Sequence, residues 1–186
     1  SEHGNIFDFV MKTQNLRFGE AVKYLANLAG MQPYMFTKQD EEREKKWKEY
    51  CLIFDQYVEF YHDELIKNET HNNARNYLKD RNINKDQVKK FRIGYIEKNP
   101  NFFEKLRNNF SEEVLIGTGL FYFDEKKKIH VERFKGRLVF PINNISGQPI
   151  ALGGRIIEKS DYLAKYINSP ETSFFKKGSN LYNLDH

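Results

Sequence analysis

Arg137-Leu-Val-Phe-Pro-Ile142 and Pro149-Ile-Ala-Leu-Gly-Gly-Arg-Ile-Ile157 decide the fold class. Both are short apolar runs, and Asn143-Asn-Ile-Ser-Gly-Gln148 between them carries turn chemistry. Two further strand-like runs precede them, Leu120-Phe-Tyr-Phe123 and Ile129-His-Val131, divided by Asp124-Glu-Lys-Lys-Lys128. Arg92-Ile-Gly-Tyr-Ile96 also alternates like a strand. Almost everything else upstream has helical spacing. Helices first and strands later predict an α+β fold.

Within the first 36 residues, Asn5 is a good N-cap ahead of the apolar stripe Ile6, Phe9 and Val10. Phe18, Val22, Leu25 and Ala29 make a second stripe, closed by Gly30 and then Pro33. Two helices this short need a partner to hide their apolar surface. Residues 37–46 are charged without an apolar face, which suits a linker or the exposed first turns of a helix. From Trp47 the pattern sharpens: Trp47, Cys51, Phe54, Val58, Tyr61 and Leu65 mark one buried face of a long helix. Short helices are predicted over 70–80, with Ala74, Tyr77 and Leu78 inward, over 84–91, over 102–109 and over 112–117. The domain reading is 1–36, a helical unit; 37–46, a charged linker; and 47–186, the main body.

Charge is uneven along the 186 residues. Residues 126–186 hold 11 Lys and Arg against five Asp and Glu, whereas 1–125 hold 19 against 21. A polyanion would therefore dock on the C-terminal third, and the alternative is a solvated basic face. The single Cys51 excludes an internal disulfide and any multi-thiolate metal site, and its apolar position suits a small buried hydrophobe. There is no run long enough to span a membrane and no signal peptide at the start, so a cytoplasmic setting is expected.

Three segments carry the chemistry. Gly153-Gly154-Arg155 puts two glycines where a strand tolerates them poorly, which a bulge or a closely approaching ligand backbone would explain. An arginine there can offer its fork to a phosphate or carboxylate. Arg133, Lys135 and Arg137 would share one side of a strand as a cationic row, opposite Phe134, Leu138 and Phe140. Lys165-Tyr-Ile-Asn-Ser-Pro-Glu-Thr172 concentrates groups that donate to phosphate or ribose oxygens, and Phe175-Lys-Lys-Gly178 follows. The bland reading of that loop is local side-chain-to-backbone bonding.

The order Arg-Phe-x-x-Arg-Leu-x-Phe-Pro-Ile, Gly-Gly-Arg, Lys-Tyr-x-Asn-Ser-Pro-Glu-Thr, then Phe-x-Lys-Gly-x-x-Leu-Tyr resembles the bacterial replicative DNA primase family of DnaG type. His3-Gly-Asn-Ile-Phe-Asp-Phe9 is similar to the segment that follows the second Cys-x-x-Cys pair of that family's zinc ribbon. Residues 73–81 resemble the helix that opens its polymerase domain, ending at Arg81. Asn82 stands where the family usually has Gly, and Asn tolerates the left-handed conformation.

The resemblance implies a role for each matching position. Arg155, Lys165, Asn168 and Lys177 would lie nearest the nucleotide. Arg81, Arg133, Lys135, Arg137 and Tyr166 would lie along the nucleic acid. Implied partners are single-stranded DNA template, RNA–DNA hybrid, ribonucleoside triphosphates and, for the whole protein, a replicative helicase, with no membrane. The family's cofactors are Zn and Mg or Mn. The resemblance places the zinc ligands before Ser1 and the metal-binding toprim carboxylates after His186. The toprim subdomain is thus expected to be absent, with no catalytic or metal-binding residue in the segment itself, which alone would be inactive. Two rival readings are a single-strand-binding module with Tyr166 and Phe134 as stacking platforms, and a helical adaptor using the 47–65 face.

Overall fold

The computed structural model describes residues 4–32, 37–158 and 160–179. The sequence readings at His3, Pro33, Leu181 and Tyr182 lie outside them. The chain divides into two compact units, residues 1–46 and 47–186.

In the first unit, α1 (Ile6–Gln14) and α2 (Phe18–Leu28) form from the two predicted stripes. The Asn5 side chain accepts from the backbone N–H of Phe7 and Asp8 at 2.8 and 3.0 Å, and Asp8 answers with a bond to the Asn5 N–H. Gly30, at φ +67°, stands in the left-handed conformation expected of it. Among the described residues of this unit only Val10 and Ala21 are buried, and Ile6 and Phe9 are 61% and 66% exposed, in keeping with two helices too short to hide their apolar surface alone.

Residues 38–46 are helical. They are the first turns of α3 (Lys38–Lys67), started by Thr37 and Asp40, whose side chains bond each other's backbone N–H. Their charge matches a solvated helix surface as well as a linker, so composition alone could not separate the two readings.

In the second unit α3 buries Tyr50, Cys51, Ile53, Phe54, Tyr57, Val58, Tyr61, His62 and Leu65. This face is packed within the chain, which removes the adaptor reading. Burial first and Asp55 second push the Cys51 thiol up to about 12, leaving no reactive thiolate at neutral pH.

The sheet runs β1 (Gly94–Ile96), β4 (Arg137–Asn143), β5 (Pro149–Ile156), β6 (Tyr166–Asn168), every neighbour antiparallel. A separate hairpin pairs β2 (Phe121–Asp124) with β3 (Ile129–Glu132). The predicted 92–96 strand begins only at Gly94. Arg92 has φ +47° and donates to the Asp55 and Glu59 carboxylates of α3 at 3.1 and 3.3 Å.

One face of the sheet packs on α3 through Val139, Leu152, Ile150 and Ile96. On the other face Leu138 packs with Leu65, Ala74, Leu78 and Ile93. Ala74 and Leu78 belong to α4 (Asn72–Asp80), which α5 (Lys85–Lys90) follows. Asn82 takes the left-handed conformation, φ +59°. The short helices α6 (Phe102–Leu106) and α7 (Glu112–Gly117) cap the hairpin end of the first core.

Glu132 knots that end together. It is buried, and its Oε2 accepts from the Tyr57 and Tyr61 hydroxyls at 2.9 and 2.7 Å, while Oε1 accepts from the Phe102 N–H at 2.7 Å. Desolvation raises its carboxyl above the ordinary value against these three bonds. Burial, then Glu132, holds both tyrosines protonated.

Candidate nucleic-acid interface

Strand register builds the site. Arg155 on β5 stands opposite Leu138 on one side and Tyr166 on the other, and Gly153 stands between Phe140 and Asn168. Side chains opposite one another share a face. Arg155, Gly153, Phe140, Tyr166 and Asn168 therefore lie on the same face as Leu138. There α4 covers Leu138, whereas Tyr166 is 61% exposed and Asn168 is also exposed.

At the edge of that cover, cations and rings alternate. The Arg155 guanidinium lies 5.2 Å from the Tyr77 ring centroid and 4.7 Å from that of Tyr166. Arg81, one helical turn beyond Tyr77, lies 5.5 Å from that same Tyr77 ring, and the Lys165 ammonium is 5.8 Å from the Tyr166 ring. Arg155 has no carboxylate or hydrogen-bond partner among the described residues, and its Nε and the Tyr77 hydroxyl are buried without one. A guanidinium held by two ring faces keeps its in-plane donors for an anion.

The loop after β6 displays Asn168. Ser169 is buried, exchanging bonds with Leu152: its N–H donates to the Leu152 carbonyl at 2.8 Å, and its Oγ accepts from the Leu152 N–H at 2.9 Å. Thr172 Oγ1 accepts from the Phe174 and Phe175 N–H groups and lies 3.1 Å from the Tyr50 hydroxyl. Ser169 and Thr172 are thus fold-building groups, and the expectation that they would donate to phosphate or ribose is corrected. Pro170 seats against Gly119, where a Cβ would come within 2.6 Å of its ring, and the Gly119 carbonyl accepts from Arg133 Nε at 2.7 Å. Arg133 is so tied to the Asn168 loop, with Tyr122 5.5 Å from its guanidinium.

The other predicted cations stand apart. Residues 133–136 form the β3–β4 turn, with Gly136 at φ +71°, so no strand row of Arg133, Lys135 and Arg137 exists. Arg137 pairs with Ile96 and Ile156, on the face opposite Arg155, and is only 4% exposed. Burial lowers its guanidinium from the ordinary value, and Nη1 reaches the Lys165 carbonyl at 3.5 Å. Lys135 is exposed and lines a cleft of about 290 Å³ with Lys98 and Glu158, themselves paired at 2.7 Å. Lys177 is exposed, its N–H donating to Glu171.

Of the paired glycines, Gly154 has a different reason from the two expected. The irregularity in the β4–β5 pairing falls at Ile142 and Asn143, not at Gly153 or Gly154. A Cβ on Gly154 would lie 2.5 Å from the Phe134 ring, which is fully buried. Gly154 thus makes room for a core aromatic, and Phe134 cannot serve as a stacking platform. Periodicity marks Tyr77 only as a core residue. Its four-residue spacing to Arg81 was the available signal for a ring–cation pair.

This arrangement is an open sheet face edged by ring-held cations, carried on an α+β body. The family described as "DNA primase catalytic core, N-terminal domain" matches residues 60–186. The chain is 35% identical to a DNA primase of Clostridium acetobutylicum over 99% of its own length and 30% of that protein's. It is also 35% identical to a DNA primase of Lactococcus lactis, covering 98% of this chain and 28% of the relative.

Among solved structures, a DnaG primase catalytic domain bound to single-stranded DNA superposes with a TM-score of 0.68 at 28% identity, covering 76% of this chain and 44% of that one. The Aquifex aeolicus primase, with zinc-binding and RNA polymerase domains, gives 0.65 at 29% identity, covering 98% of this chain and 42% of that one. The chain belongs to the DnaG-type DNA primase family and is part of a primase catalytic core. It spans about three tenths of the length of the curated relatives it matches.

Among the described residues no group of three or more His, Cys, Asp or Glu could hold a metal ion. No described helix is long and apolar enough to cross a membrane.

Proposed function

We propose that this chain serves a primase that joins ribonucleotides into short RNA primers on single-stranded DNA, and that its open sheet face grips the phosphates. The observation that carries this reading is Arg155, held between Tyr77 and Tyr166 with no acidic partner among the described residues. Arg155, Lys165, Asn168 and Lys177 meet nucleotide phosphate and ribose, on a bound strand as well as on an incoming triphosphate. Arg81, Arg133, Lys135 and Tyr166 follow the template or hybrid, Tyr166 by stacking. Arg137, on the opposite face, acts as scaffold and leaves the binding set. The relative whose catalytic domain is bound to single-stranded DNA supports the choice of ligand.

Residues 1–36 are taken as the end of a zinc-binding domain and the body from Trp47 as the basic subdomain of the polymerase domain. Phosphoryl transfer needs charge neutralisation at the transferred group, and these side chains would supply positioning rather than bond making. Residues 1–186 alone are accordingly expected to make no primers.

The test is a titration of single-stranded DNA against salt. If Arg81, Arg155 and Lys165 each neutralise one phosphate, the log–log slope is about −2, and Arg155→Ala reduces it by about 0.7. Unchanged affinity and slope in Arg155→Ala would refute the assignment.

A further inference from the structure

Tyr77 sits where two cations meet. On α4 its ring has Arg81 at 5.5 Å and Arg155 at 5.2 Å, so one aromatic residue carries two guanidinium groups from different elements. Two like charges brought to one ring repel each other, and the ring's negative faces offset that repulsion. The hydroxyl is buried and has no hydrogen-bond partner among the described residues. A buried hydroxyl without a partner opposes folding, so it gives no structural reason for Tyr rather than Phe. The ring also borders the second core beside Leu78, which is the ordinary reason for an apolar residue here. Neither of those accounts for a planar π system aimed at Arg155.

We infer that Tyr77 is a positioning residue for Arg155: its ring face fixes the plane in which the guanidinium presents its donors to a nucleic-acid phosphate. With Tyr166 on the other side, Arg155 is clamped between α4 and β6. Tyr166 is largely exposed and free to turn toward a base, so the half-buried Tyr77 is the fixed jaw. The inference rests on the phosphate role proposed above for Arg155.

The experiment uses the full-length protein and a single-stranded oligodeoxynucleotide. Dissociation constants and thermal unfolding are measured for wild type, Tyr77→Phe, Tyr77→Leu, Arg155→Ala and the Tyr77→Leu/Arg155→Ala double variant. Tyr77→Leu is expected to weaken binding about five-fold, Tyr77→Phe to keep it within about two-fold, and the double variant to bind like Arg155→Ala. Tyr77→Met fills the same core edge without a π face and carries the test if Tyr77→Leu does not fold. If Tyr77→Leu weakens binding equally in the Arg155→Ala background, Tyr77 acts through packing and the inference is overturned. Wild-type binding by Tyr77→Leu or Tyr77→Met, with Arg155→Ala impaired, overturns it alone. Wild-type binding by Arg155→Ala removes the underlying site reading instead.

Discussion

Arg137 and Arg155 belong to neighbouring strands of the same sheet, and both sit in segments that match the primase family, yet their surroundings are opposite. Arg137 points into the face that packs on α3, is almost wholly buried and reaches a backbone carbonyl. Arg155 points to the other face, clamped by two rings and without an acidic partner among the described residues. A strand alternates its side chains, so one step of register separates a buried charge from one on the open face. The dry face leaves no room for added volume or for a stranded polar group, whereas the open face keeps its groups exposed.

Glu132 gives the hardest blow to the dry side. Glu132→Ala would strand two tyrosine hydroxyls and the Phe102 N–H in the core, costing about 4 kcal/mol in denaturant unfolding. Its folded-state pKa is raised, because desolvation outweighs those bonds, so the folded form holds the proton more tightly than the unfolded form. Its contribution is therefore complete below the ordinary glutamate value of 4.5 and declines as pH rises through the raised value. Subtracting the stability–pH profile of Glu132→Gln from that of wild type should leave this downward step. A difference that is flat or rises with pH would contradict it. Gly154→Ala comes next, at about 3 kcal/mol, since the new methyl meets a fully buried Phe134 that has nowhere to retreat.

Much of this division was legible in the sequence, and the failures have physical causes. The long α3 face, the capping role of Asn5 and the strands on either side of Asn143–Gln148 follow from periodicity and turn chemistry, which are local. The row of Arg133, Lys135 and Arg137 failed because a strand was extended through Gly136, whose φ of +71° makes a turn. Ser169 and Thr172 looked like ligand donors because composition cannot show that their hydroxyls already satisfy nearby backbone groups, and Thr172 also meets the distant Tyr50. Glu132 and the pairing of Tyr77 with Arg155 escape for the same reason: the partners come from other elements, and no spacing in one segment reveals them.

The same substitution at both arginines sharpens the contrast. Arg155→Met should unfold like wild type and bind single-stranded DNA about ten-fold more weakly, the value of one lost charged contact. Arg137→Met should bind normally, and replacing a buried charge by an apolar chain of similar size should shift stability by less than about 1 kcal/mol. Binding loss at Arg137→Met with none at Arg155→Met would invert the assignment of the two faces.

Gly153→Ala tests the open face with the smallest change. A Cβ there meets only the Asn168 Oδ1 at 3.3 Å and the Phe140 carbonyl at 3.9 Å, and the Asn168 side chain is exposed and can yield. Losing a glycine also reduces unfolded-chain entropy, so stability should stay within about 0.5 kcal/mol of wild type. The methyl would nevertheless stand between Phe140 and Asn168, on the floor where a sugar-phosphate chain must come close. Affinity for single-stranded DNA should therefore fall a few-fold while the unfolding curve does not move. Its neighbour Gly154 should show the reverse, a weakened fold and unaltered affinity in the molecules that remain folded. Equal behaviour of the two variants would mean that the exposed face is only solvated surface, and the contrast between the faces would be one of burial alone.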